Sequence, residues 1–293
     1  MVNVKFCILL LIIFAASCIE PEKPVVEQSS VDFCSDALVN DEKFAAKSLP
    51  FLFDASGKKL VGRILMASNR ELKPTIVFLH GNPGFEKNED VGQALRRVGY
   101  NSVFFSYSGT WGNEGVFNYE NAINDLHSLV DYLVNNAKRF RIDEQHIYAV
   151  GFSMGADIAI LSAKGNDKIG GVVSIDPWNG YYELSSKSES ELNQYKANLE
   201  MRPCINIESG SAFVSSILDN DSMDVSASLS EFSKPIIHIF SSEVNQREFL
   251  ENCNAPNLHR LVIEASDHSF SNKRMALISE VAGWLHQQIK IER

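Results

Sequence analysis

The sequence predicts an α/β protein: a mostly parallel central sheet with helices on both faces, an antiparallel hairpin at the start and a helical insertion late in the chain. Three observations predict it. Short apolar runs of strand length recur, amphipathic stretches of helix length separate them, and the runs are apolar throughout rather than alternating. Strands of that kind belong in a sheet covered on both sides, as helical crossovers between parallel strands provide. At 293 residues, 45% hydrophobic and 22% charged, the chain has the balance of a globular protein and can bury a full core. A formal net charge of −10 sets most of the surface against a polyanion, which argues against nucleic acid as a partner.

The N-terminus reads as an address. Lys5 precedes an apolar run from Phe6 to Ala16, too short to cross about 30 Å of hydrocarbon. With small residues at Ala15 and Ser17, this predicts an export signal over residues 1–17. Ala15-Ala16-Ser17-Cys18 resembles a bacterial lipoprotein box. The resemblance implies a lipid on Cys18 and attachment to the cell envelope; the alternatives are plain secretion or a periplasmic location, and an N-terminus that is uncleaved or unrelated to export. Residues 18–42 then form a tether, with Glu, Pro and Ser frequent from Ile19 to Ser30. Cys7 would leave with the signal. Cys34, Cys204 and Cys253 have no CxxC spacing, so they read as buried thiols, with at most one disulfide among them.

The domain itself spans 43–293. Phe44 to Asp54 and Leu60 to Met66 form the hairpin, turning at Ala55-Ser56-Gly57-Lys58. Thr75 to Leu79 is the first buried strand, residues 87 to 98 a helix, and Ser102 to Tyr107 the second strand. Ile123, Leu126, Leu129, Val130 and Leu133 mark one face of a long helix. His146 to Val150 is the third run, followed by a helix through Ala163; Ile169 to Ile175, Pro235 to Phe240 and His259 to Glu264 are the fourth to sixth. A helix marked by Met275, Ile278, Ala282, Leu285 and Ile289 closes the chain. The alternation breaks from Asn179 to Ser233, 55 residues whose apolar content predicts short helices, either a lid over a pocket or a surface decoration.

Ligands meet such sheets at the carboxyl ends of the strands. After the third run stands Gly151-Phe152-Ser153-Met154-Gly155, a Gly-x-Ser-x-Gly sequence between strand and helix. A turn that sharp lifts Ser153 clear of the sheet as a nucleophile and aims the next helix's N-terminus at developing negative charge. After the first run, His80-Gly81-Asn82-Pro83-Gly84 can turn a backbone N–H toward the same oxyanion. Pro83 has no N–H, so Asn82 and Met154 are the candidate donors. His80 ends a buried strand upstream of the nucleophile and reads as structural. His268 alone among the seven histidines falls between the last run and the last helix, where it could act as the base on Ser153.

The acid is less determined. Glu243, 25 residues before His268 and just past the fifth run, is the first candidate; Asp176, directly after the fourth, is the alternative. On that ranking Glu243→Gln costs more activity than Asp176→Asn.

Ser153 in its elbow, then an acid, then His268, with His80-Gly81 upstream, resembles the α/β-hydrolase superfamily, from about Phe44 to Ile291. Within that superfamily the chain resembles the single-domain hydrolases related to prolyl-oligopeptidase-like and dienelactone-hydrolase-like enzymes. Tyr107 to Gly115 resembles the glycine-rich loop those proteins carry after the following strand. Glu243 stands where the family has Asp, Phe240 where Gly often precedes that acid, and Ala156 where a further Gly is common. The resemblance implies a serine hydrolase that cleaves a carboxylic ester through an acyl-enzyme, acts on a small acyl substrate and needs no metal or other cofactor. A serine peptidase acting on short peptides is one alternative, and a catalytically silent binding lipoprotein is another.

Overall fold

The computed structural model describes residues 32–33, 35–36, 41–243, 255 and 257–289. The export signal, Cys18, Cys34 and Cys253 lie outside the described residues.

Lys47–Ala55 (β1) and Lys58–Met66 (β2) pair antiparallel, closing on Ala55 opposite Lys58. Ser56 (φ 52°) and Gly57 (φ 83°) are both left-handed, which matches the twist of a two-residue hairpin turn. The hairpin begins at Lys47 rather than Phe44, and its turn is two residues rather than four. Lys73–Leu79 (β3), Asn101–Phe105 (β4), Ile142–Phe152 (β5), Val172–Ile175 (β6), Ile236–Ser241 (β7) and Leu258–Ile263 (β8) complete one eight-stranded sheet, in the order β1-β2-β4-β3-β5-β6-β7-β8. From β4 onward every pairing is parallel.

Burial explains the unbroken apolar runs: every residue of β3, β4, β6 and β7 is buried. On one face pack Tyr119–Asn135 (α2) and Met154–Lys164 (α4); on the other lie Glu89–Arg97 (α1) and Arg274–Gln288 (α9). Ala137–Phe140 (α3) is a single turn leading into β5. Met275, placed on the buried face of the last helix by its spacing, is 55% exposed, whereas Ile278, Ala282 and Leu285 are buried.

The break in the alternation folds as Gly180–Ser185 (α5), Glu189–Glu200 (α6), Gly210–Leu218 (α7) and Val225–Ser230 (α8). Ser188 and Glu191 form a reciprocal capping box at the start of α6, which satisfies two otherwise orphaned N–H groups. Leu184, Leu199, Phe213, Ile217 and Leu229 are buried in the same cluster as α2 and α4, so the insertion shares the main core.

β3 lies between β4 and β5, so the chain leaves β3 to one side and later returns on the other. The carboxyl ends of the strands at such a reversal leave a crevice. His80, Ser153, Asp176 and His268 follow β3, β5, β6 and β8 at that edge.

Candidate active site

The elbow is built by close approach. A Cβ on Gly151 would stand 2.2 Å from the Gly155 carbonyl oxygen, and one on Gly155 would stand 2.4 Å from that of Leu79. Both positions therefore exclude any side chain. Between them Ser153 takes φ 55°, ψ −125°, a strained conformation for a residue with a side chain, held by its N–H on the Ile175 carbonyl at 2.9 Å. Met154 opens α4, where the first N–H groups have no partner inside the helix.

The loop after β3 presses on this turn. A Cβ on Gly81 would lie 2.9 Å from Ser153 Cβ, which places Asn82 beside the elbow. His80 is buried; its Nδ1 lies 2.8 Å from the Gly81 carbonyl and its ring packs on Tyr107 at 4.5 Å. Burial pushes its pKa down to about 4, so the ring is neutral and faces its own loop.

His268 reaches the same edge with its ring against Phe152, centroids 4.8 Å apart. Its Nδ1 donates to Asp176 Oδ2 at 2.5 Å. Asp176 is fully buried at the end of β6, and Ser241 holds both its oxygens: the N–H reaches Oδ1 at 2.8 Å and the hydroxyl reaches Oδ2 at 2.9 Å. Glu243 does not meet the imidazole. It is exposed, and its carboxylate accepts the backbone N–H of His268 at 3.3 Å. The structure thus brings the alternative, Asp176, to the imidazole in place of the first candidate, Glu243. The His268 loop passes over the end of β7 and turns its ring toward β6, so Glu243 meets only the loop's backbone.

Among the described residues, no hydrogen bond joins the Ser153 hydroxyl to His268, whose side chain is 51% exposed. Among them, too, no cluster of three or more His, Cys, Asp or Glu is placed to hold a metal. Cys204 is a half-buried free thiol.

Two further buried carboxylates were not picked out from the sequence. Asp125 accepts the Ser108 N–H at 2.6 Å and its hydroxyl at 2.8 Å, fixing the loop after β4. Asp157 accepts from Tyr119 Oη at 2.9 Å and from the N–H groups of Asn179 (3.0 Å) and Gly180 (2.8 Å), tying α2, α4 and the start of the insertion together. Burial raises its pKa to about 6 against the opposing hydrogen bonds. The available signal was position: Asp157 stands between Ala156 and Ile158, and Asp125 lies three residues after Ala122 and four before Leu129.

The BD-FAE family model matches residues 64–222, more than half of the chain. Est1E from Butyrivibrio proteoclasticus, solved with ferulic acid, superposes with a TM-score of 0.69 at 17% identity, covering 82% of this chain and 99% of that one. The hypothetical protein PA2218 from Pseudomonas aeruginosa gives 0.65 at 12% identity, over 88% and 98% of the two chains. An esterase from Pyrobaculum calidifontis gives 0.61 at 14% identity, over 82% and 85%. At these identities the likeness establishes the fold. No curated protein matches the sequence.

Proposed function

The chain belongs to the BD-FAE family and is an esterase-like hydrolase of the α/β-hydrolase superfamily, and we propose that it cleaves carboxylic esters through an acyl-enzyme on Ser153. The observation that carries this reading is the buried Asp176 carboxylate bonded to His268 beside the strained Ser153 turn. An ionised carboxylate only accepts hydrogen bonds, so Nδ1 carries the proton and Nε2 is left to take one from the serine hydroxyl. Ser153 Oγ attacks the ester carbonyl as Nε2 removes its proton. The N–H groups of Asn82 and Met154 stabilise the oxyanion, each worth about 10²–10³ in rate. His268 returns the proton to the departing alcohol, then deprotonates the water that releases the acid.

Free enzymes often hold the nucleophile and base apart until substrate tightens the contact. A catalytically silent protein has no need of a buried carboxylate bonded to the base, and the Asp176–His268 pair supports an active site instead. Est1E, solved with ferulic acid, and the Pyrobaculum esterase favour an ester over a peptide bond. A fluorophosphonate probe is expected to label Ser153 in the folded protein, and Ser153→Ala to abolish both labelling and ester turnover. An unlabelled, folded wild type would favour the silent reading. Faster cleavage of aminoacyl amides than of matched esters would favour a peptidase.

A further inference from the structure

Resting on the reading of Asn82 as an oxyanion donor, we propose that Arg202 is a positioning residue, through which the insertion between β6 and β7 holds the oxyanion loop in register with Ser153. The guanidinium Nη1 donates to the Asn82 side-chain oxygen, across 120 residues of sequence. Among the described residues no carboxylate forms an ion pair with Arg202, and the Asn82 oxygen is the acceptor its guanidinium meets.

The contact belongs to a larger clamp. Trp111 Nε1 donates to the Pro83 carbonyl at 2.8 Å, and Cys204 Sγ lies 3.8 Å from the same oxygen. Residues after Arg202 join the loop that carries Trp111. Trp111 N–H reaches the Cys204 carbonyl at 2.9 Å, Asn206 N–H reaches Gly109 at 2.6 Å, and Thr110 and Ile205 form an antiparallel bridge. Insertion and Trp111 loop thus form one unit that grips the Asn82–Pro83 segment at its side chain and its carbonyl. Pro83 has no N–H with which to brace the segment from within. An oxyanion donor acts through its placement, and displacement by about 1 Å costs up to about 10²-fold. Arg202 sets that placement without touching substrate.

The test reads fluorophosphonate inactivation and 4-nitrophenyl butyrate turnover on the full chain, for Arg202→Ala, Arg202→Lys, Asn82→Ala and the Arg202→Ala/Asn82→Ala double variant, with melting temperatures. Asn82→Ala keeps the backbone donor and removes only the acceptor of the Arg202 bond. The expected result is a fall of about tenfold to a hundredfold in the maximal inactivation rate and in kcat for each alanine variant, with KI and KM within about twofold. The double variant should be no worse than either single one, and Arg202→Lys should recover most of the loss. Unchanged rates in Arg202→Ala, or losses that multiply in the double variant, would overturn the proposal. If Arg202→Ala does not fold, Asn82→Ala and Arg202→Lys decide it by the same criteria. A folded wild type that leaves Ser153 unlabelled removes the serine mechanism, and this inference with it. Labelling of Ser153 with insensitive Arg202 variants removes this inference alone.

Discussion

Asp176 and His268, 92 residues apart in the chain, meet at 2.5 Å with the carboxylate fully buried and the imidazole half in solvent. The asymmetry is useful chemistry. Ser241 fixes both carboxylate oxygens, so the carboxylate cannot turn away, while half of the imidazole side chain stays open to solvent.

Asp176→Asn should lower kcat/KM by about 10³–10⁴-fold, because an amide in that position can favour the wrong imidazole tautomer. Glu243→Gln should cost less than about tenfold, since its contact is one long bond to a backbone N–H. Steady-state kinetics on a short-chain ester compares the two. A larger loss in Glu243→Gln would return the acid to the end of β7.

Gly155→Ala should destabilise the fold by about 1–3 kcal/mol. Its Cβ would meet two backbone oxygens, at 2.4 Å (Leu79) and 2.6 Å (His80), and neither can yield as a side-chain tip would. Gly283→Ala, in α9 with nothing within 4 Å of a new Cβ, should instead stabilise by about 0.5–1 kcal/mol. Urea melts of the two variants should shift in opposite directions.

Acid should weaken the protein partly through His238. This ring is fully buried, neither nitrogen has a partner among the described residues, and burial depresses its pKa from 6.5 to about 3. Above pH 6.5 neither the folded nor the unfolded form is protonated there. As pH falls from 6.5 toward 3, the unfolded chain takes up a proton that the folded one refuses, and stability drops. His80, depressed to about 4, acts with the same sign. Asp157, raised to about 6, acts oppositely: its folded form takes the proton first, so it favours the fold as pH falls through that window. His238→Leu should flatten the decline in stability between pH 6 and 4, measured by urea melts across that range; an unchanged slope would assign the decline elsewhere.

Lipid attachment at Cys18 is testable in cells. Palmitate should be incorporated into the wild type and not into Cys18→Ser, which should be released from the membrane fraction. A fully soluble, unmodified wild type would leave plain export as the reading.

Much of this architecture is legible without coordinates because local pattern and burial coincide. Thr75 to Leu79 and Pro235 to Phe240 read as buried strands, and β3 and β7 are buried along their full length. The elbow was equally readable, since only glycine fits where Gly151 and Gly155 approach backbone. Met275 misled because helical spacing marks a face but not how far the partner surface extends along it.

By itself the sequence determined the fold class, the position of Ser153 in a strand-to-helix turn, and His268 as the base's candidate, all of which depend on neighbours within a few residues. Which acid faces His268, and that Arg202 grips Asn82, only the tertiary structure decided. Both depend on where a loop lands after crossing several strands, and a direction set by packing across 92 or 120 residues leaves no periodic trace in the chain.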